Sequence, residues 1–203
     1  MGSRPKTSLD AARLAVRLGK WFRELLNSDL PNSDLLDLKS YDAPRLVAVG
    51  LMSMVGLAYV LRPGEPPFTL LNLINLVPNQ LGHLAFSLFG GFVSYFGGPV
   101  VQVAFPLSLF FYCFQLRKPF LASLALFWTA QSLFDLAHYA GDARTFDINL
   151  LTGSDHVWHT LLSGLGLLQL EQLIGALLYL SAVLIFVLSV ILGLNAAKQL
   201  SGQ

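Results

Sequence analysis

Pro78-Asn79-Gln80-Leu81-Gly82-His83 leads into Leu84-Ala85-Phe86-Ser87-Leu88-Phe89-Gly90-Gly91-Phe92-Val93-Ser94-Tyr95-Phe96, a polar insertion at the head of an apolar segment. Residues 78 to 97 have about the length of 20 residues that one bilayer crossing requires, and four more apolar stretches lie at 44 to 62, 99 to 116, 119 to 139 and 171 to 195. Apolar residues make up 54% of the 203-residue chain and charged ones 12%, so there is too little polar surface to clothe a water-soluble globule. The expectation is an all-α, polytopic helical membrane protein with about five transmembrane helices. A multi-pass chain of this kind has the lipid bilayer as its first partner.

Between the first two stretches, Pro63-Gly64-Glu65-Pro66-Pro67 breaks the helix, and 68 to 77 is apolar but too short to cross. That piece reads as a re-entrant or interfacial segment ending at Pro78, a residue suited to open the next helix. Five plain crossings with the amino-terminal arm in the cytoplasm leave Arg117, Lys118 and Lys198 outside, whereas a re-entrant excursion over 68 to 97 returns them to the arm's side. The second arrangement places eleven of the thirteen basic residues inside and the first nine, so the positive-inside bias favours re-entry.

The arm, residues 1 to 43, is read as separate from the transmembrane domain, 44 to 203. Eight of the thirteen Lys and Arg residues lie at or before Arg45, which makes the arm basic although the whole chain is near +1. Over 8 to 27, Leu14, Leu18, Trp21 or Phe22 and Leu25 recur at helical spacing opposite Arg13, Arg17, Lys20 and Glu24. An amphipathic helix of this pattern lies on anionic lipid or packs on a neighbouring subunit. Asn27-Ser28-Asp29-Leu30 and Asn32-Ser33-Asp34-Leu35 around Pro31 supply cap residues for a hinge. The arm lacks the aromatic interleaving of a nucleic-acid surface, and no nucleic-acid partner is expected. Residues 1 to 42 show no cleavable signal sequence, and Cys113, the single cysteine, allows no intramolecular disulfide.

Three polar constellations interrupt the apolar pattern. In the first, Asn79 and His83 are spaced as the two imidazoles of a zinc-binding H-E-x-x-H helix, but Asn79 and Gln80 occupy the first two positions. Asn79, His83, Ser87, Gly91, Ser94 and Gly98 follow at helical steps, a small and polar face expected to meet protein rather than lipid. In the second, Asp135, His138 and Asp142 share a face at i, i+3 and i+7. Asp135 lies inside an apolar run, where a carboxylate must be paired or metal-bound, while Asp142 and Arg144 fit an interfacial ion pair or a cap. In the third, Asp155, His156, Trp158 and His159 form a two-histidine turn or a capped interfacial helix.

At these places the chain resembles a family of bacterial integral-membrane proteins similar to intramembrane zinc metalloproteases. The family pattern H-E-x-G-H is met by Asn79-Gln80-Leu81-Gly82-His83, followed by Phe86-Ser87-Leu88-Phe89-Gly90. Its Leu-Asp-x-Ala-x-Tyr-x-x-Asp-Ala-Arg stretch is matched by Asp135, Ala137, Tyr139, Asp142, Ala143 and Arg144, and its His-Asp-Trp aligns with His156-Val157-Trp158, Val157 replacing the Asp, ahead of Gly166-Leu167-Leu168. The resemblance covers about 70 to 180 and implies a bacterial inner membrane and metal ligands at His83, Asp135 and His156, with His159 as a substitute imidazole. His138 and Asp142 would support the site. Zinc is the metal it implies.

The same comparison removes the catalytic parts. Gln80 stands where the general base would be, and an amide cannot take a proton from a metal-bound water near neutral pH. The expected function is therefore that of a proteolytically inactive, metalloprotease-like membrane protein whose polar pocket binds a transmembrane partner helix or a metal ion. One alternative is an active membrane metallohydrolase using His83, Asp135 and His156 or His159. A second is a structural subunit whose polar residues only satisfy one another.

Overall fold

The computed structural model describes residues 16–17, 19–20, 41–63, 70–145 and 157–198. The chain divides into two units, Met1–Ser40 and Tyr41–Gln203. In the first, Val16, Arg17, Gly19 and Lys20 are helical; the apolar face read at Leu14, Leu18, Trp21, Phe22 and Leu25 lies outside the described residues, as does the hinge at 27 to 35.

The second unit is all-α among its described residues: α1 (Ala43–Leu61), α2 (Leu70–Ser87), α3 (Gly91–Gln115), α4 (Pro119–Gly141), α5 (Val157–Gly164) and α6 (Glu171–Ala197), the last preceded by a 3-10 turn at Leu168–Leu170. Among the described residues, four helical segments are long and apolar enough to cross a membrane: α1, α3, α4 and the continuous Leu168–Ala197. The chain is a multi-pass membrane protein.

Local chemistry sets the boundaries. Asp42 caps α1 by accepting from the Arg45 backbone N–H at 3.2 Å, with Pro44 in the first turn where its missing N–H costs nothing. Gly90, at φ 112°, adopts a backbone that side-chain-bearing residues rarely reach, and it separates α2 from α3. Leu116 to Lys118 then turn the chain, and Pro119 opens α4. Pro78 lies inside α2 instead of opening a helix, so the segment 68 to 77 and the start of 78 to 97 merge into one element. Consequently the 78-to-97 stretch is no single crossing. Its two halves fold against each other as a hairpin.

Contacts at the helix ends fix the directions. Asp42 donates its backbone N–H to Ala197 O at 2.8 Å, Tyr41 and Lys198 form an isolated bridge, and the Arg45 guanidinium lies 5.7 Å from the Phe120 ring centroid. The starts of α1 and α4 and the end of α6 therefore share one end of the bundle, which we call end A. At the other, end B, Gln172 donates to Gly141 O and Arg144 pairs with Glu171. The tight turn after α3 makes it antiparallel to α4, so α3 runs from end B to end A. Tyr59, near the finish of α1, bonds Asn72 near the start of α2, and α2 finishes at the hairpin beside α3. Both ends of α2 thus face the same side of the bundle, the geometry of a re-entrant segment.

Helix α4 is the axis, packed most extensively on α6 and buried over nearly its whole length from Ala122 to Ala137. Around it Met52, Tyr59, Phe127, Ala130, Leu133, Phe134, Ala182 and Phe186 form the apolar core. Helix α2 packs chiefly on α3. At that contact Gly82 and Gly97 meet backbone to backbone, and a Cβ on either would overlap the other's carbonyl.

Candidate functional site

Where α2 meets the α1–α4 pair, the sequence places amides and a carboxylate at helical spacing. Asn72 and Asn75 lie one turn apart on α2; Trp128, Gln131, Ser132 and Asp135 line one side of α4; Tyr59 closes the group from α1. Asp135 is 5% exposed, Asn75 3% and Gln131 1%, so none can rely on bulk water. Each is instead satisfied by a neighbour. Asp135 Oδ1 accepts from Asn72 Nδ2 at 2.7 Å, and its Oδ2 accepts from Asn75 Nδ2 and Gln131 Nε2, both at 2.8 Å.

A single indole dictates the orientation of this network. Trp128 Nε1 can only donate, and it does so to Asn75 Oδ1 at 2.6 Å, joined by the Ser132 hydroxyl at 3.2 Å. Asn75 must therefore turn its Nδ2 toward Asp135 and toward Gln131 Oε1, 2.7 Å away. Gln131, its oxygen so used, directs Nε2 to Asp135 and to the Tyr59 hydroxyl at 3.1 Å. The Tyr59 hydroxyl accepts that bond and donates its own proton to Asn72 Oδ1 at 3.2 Å, leaving Asn72 Nδ2 for Asp135. Every amide is held in one sense, and every one of these contacts to the carboxylate is a donor. The result is a set of donors complementary to the Asp135 carboxyl oxygens.

The remaining sequence-nominated residues go elsewhere. His83 Nδ1 lies 2.8 Å from Ser94 O, which can only accept, so Nδ1 carries the proton. Its other nitrogen, Nε2, packs against Gly98, where even a Cβ would overlap it. Ser94 Oγ returns a bond to His83 O at 2.8 Å. The small-polar face read along one helix is thus divided at Gly90, with Asn79, His83 and Ser87 on α2 and Gly91, Ser94 and Gly98 on α3; His83 meets Ser94 and Gly98 across the hairpin, while Ser87 and Gly91 are exposed. Asn79 donates to Gln102 Oε1 at 2.8 Å, whereas Gln80 is exposed.

At end B, His159 Nδ1 lies 2.9 Å from Ala143 O, and Thr145 Oγ1 donates to Asp142 at the finish of α4. Arg144 pairs with Glu171 at 2.8 Å, and Asp142 is the C-cap residue of α4, an ion pair and a cap as the sequence allowed. Glu171 is 0% exposed, and neither carboxylate oxygen accepts a hydrogen bond; its charge is balanced by Arg144 and by its place in the first turn of α6. His138 is half-buried beside the Tyr139 ring.

Among the described residues, no group of three or more His, Cys, Asp or Glu side chains could hold a metal ion. Comparisons of the chain with family models, with curated proteins and with solved structures gave no match. The ligand set His83, Asp135 and His159, with His138 and Asp142 in support, is therefore not assembled: Asp135 is enclosed by amides, His83 by the α3 backbone, and His159 sits at the end of α4. His156 lies outside the described residues.

Sequence reasoning found Asp135 and missed its partners. The signal was available, because Asn72, Asn75 and Asn79 recur at i, i+3 and i+7 in a segment otherwise apolar, and Gln131 stands one turn before Asp135.

Proposed function

We propose that this chain is a non-proteolytic membrane protein of metalloprotease-like outline that acts by binding a transmembrane partner, and that the Asp135 cluster holds α2 in position for that contact. The observation that carries this reading is the closure of Asp135 by three N–H donors whose orientation Trp128 fixes. A metalloprotease needs an open metal position, a water and a base. Here the carboxylate is occupied, His83 Nε2 faces the α3 backbone, and Gln80 replaces the base. We place the protein in a bacterial inner membrane with end A cytoplasmic and the basic arm against anionic lipid, on the strength of the positive charges gathered there.

Metal analysis of the purified full-length protein tests this directly. The expected result is far less than one zinc or iron per chain, with Asp135→Asn lowering thermal stability and leaving metal content unchanged. Stoichiometric zinc that disappears in His83→Ala would overturn it.

A further inference from the structure

Among the described residues, end A carries the cations Arg45, Arg117, Lys118 and Lys198 and a single carboxylate, Asp42. Arg45 reaches between neighbouring helices, donating to Ala196 O at 3.1 Å and lying 5.7 Å from the Phe120 ring centroid. Lys118 stands two residues before Phe120 and Lys198 two after Ala196, with Arg117 in the adjoining turn, so the charges gather at one corner of the bundle. All four are exposed. Asp42 is taken up by Arg45, whose backbone N–H it accepts and whose Nε lies 3.5 Å from it. Arg117, Lys118 and Lys198 form no ion pair among the described residues.

Helix dipoles do not account for this grouping. A cation is favourable at a helix C-terminus, where Arg117 and Lys198 lie, but Arg45 is in the first turn of α1 and Lys118 caps the start of α4, where the dipole opposes it. The turn is also held at a cost. Lys118 N–H donates to Cys113 O at 3.0 Å and Arg117 N–H to Phe114 O at 3.1 Å, the pair of bonds that ends a helix on a left-handed residue. Glycine is the usual occupant of that position, yet Arg117 adopts it at φ 57°. Strain of this kind is tolerated where the side chain has a task.

The surface beside the charges is apolar. Tyr112 and Leu116 share a face of α3 and are 60% and 48% exposed, and Leu121, one turn after Lys118, is 45% exposed. A soluble phosphate would use the cations alone. A phospholipid uses both, with its phosphate on the cations and its chains along these side chains.

We propose that the corner formed by Arg45, Arg117, Lys118 and Lys198 binds the headgroup of an anionic phospholipid. This site lies in the transmembrane domain, is distinct from any lipid contact of the basic arm, and does not depend on the binding of a transmembrane partner.

Titration of the purified full-length protein in mild detergent with phosphatidylglycerol, against phosphatidylcholine of the same chains, tests it by native mass spectrometry and thermal melting. Phosphatidylglycerol is expected to bind more tightly and to raise the melting temperature. Lys118→Gln and Lys198→Gln should each weaken its binding about fivefold at low ionic strength, the effect of one basic residue at an anionic lipid surface. Arg117→Gly removes the left-handed strain, so it should melt no lower than wild type without lipid while losing a similar factor in lipid affinity. A variant with Arg13, Arg17 and Lys20 all replaced by Gln should keep the preference. Loss of the preference in that variant, with Lys118→Gln and Lys198→Gln unaffected, would assign the lipid to the arm and overturn the proposal. Equal binding of the two lipids, unchanged affinity in Arg117→Gly, or complete displacement by an equal concentration of inorganic phosphate, which lacks the chains, would each overturn it as well.

Discussion

Asp135 is the costliest residue in the molecule to misplace, because it is the carboxylate of the central helix and is enclosed by donors alone. Replacing it with Leu leaves the amides of Asn72, Asn75 and Gln131 short of an acceptor, and each unsatisfied buried group costs about 1–3 kcal/mol. Asp135→Asn is milder: its Oδ1 can still accept from Asn75 and Gln131, and only its Nδ2 opposes the Asn72 amide. Thermal melting in detergent should therefore rank wild type above Asp135→Asn and Asp135→Asn above Asp135→Leu. Trp128→Phe keeps the aromatic contact with Phe105 but deletes the donor that orients Asn75. Its expected cost is about 1 kcal/mol, with Asn75→Ala in the same background adding less than it does alone, since the two act through one network. A double-mutant cycle on melting free energies reads that coupling. At this scale the sequence disclosed Asp135 through the expense of a charge in an apolar run, but not its partners, because a hydrogen bond from α2 to α4 joins residues some sixty positions apart.

At the scale of elements, the hairpin of α2 and α3 depends on two glycines that touch and one that turns. Gly82→Leu or Gly97→Leu would insert a side chain into a backbone contact, whereas Gly90→Ala places a Cβ at φ 112°. The first pair should separate the hairpin, with an expected loss of about 3 kcal/mol or more, and the second should cost about 1–3 kcal/mol of backbone strain. Limited proteolysis or thermal melting of the three variants distinguishes them, and Gly50→Ala, where nothing lies within 4 Å, is the neutral control. Equal melting of Gly82→Leu and Gly50→Ala would contradict the packing described. The helices α1, α4 and α6 were legible from apolar length alone. The division of 78 to 97 was not, because a run of Leu, Phe and Gly has the same hydropathy whether it continues as one helix or folds at Gly90. Pro78 misled for a related reason: a proline suits a helix start in general, but a packed neighbour can tolerate one inside.

For the whole molecule, the end contacts decide topology and charge decides orientation. The four crossings among the described residues form an even number, and the bond from Asp42 to Ala197 independently places the entry to α1 and the exit from α6 at the same end. Arg45, Arg117, Lys118 and Lys198 gather at end A, and Arg62 and Arg144 at end B. A plain fifth crossing by α2 would instead put α1's entry and α6's exit on opposite faces. Single cysteines at Ala43, Lys118 and Lys198 in a Cys113→Ser background should then be labelled together from one side of the membrane, and cysteines at Arg62 and Arg144 from the other. With the positive-inside bias setting the sign, the first group should resist an impermeant maleimide in intact cells and react after the membrane is opened. Labelling of Lys118 and Ala43 from opposite sides would require α2 to cross, and with it the separation of Tyr59 and Asp135 from Asn72. Reaction of the whole first group in intact cells would preserve the fold and invert it in the membrane.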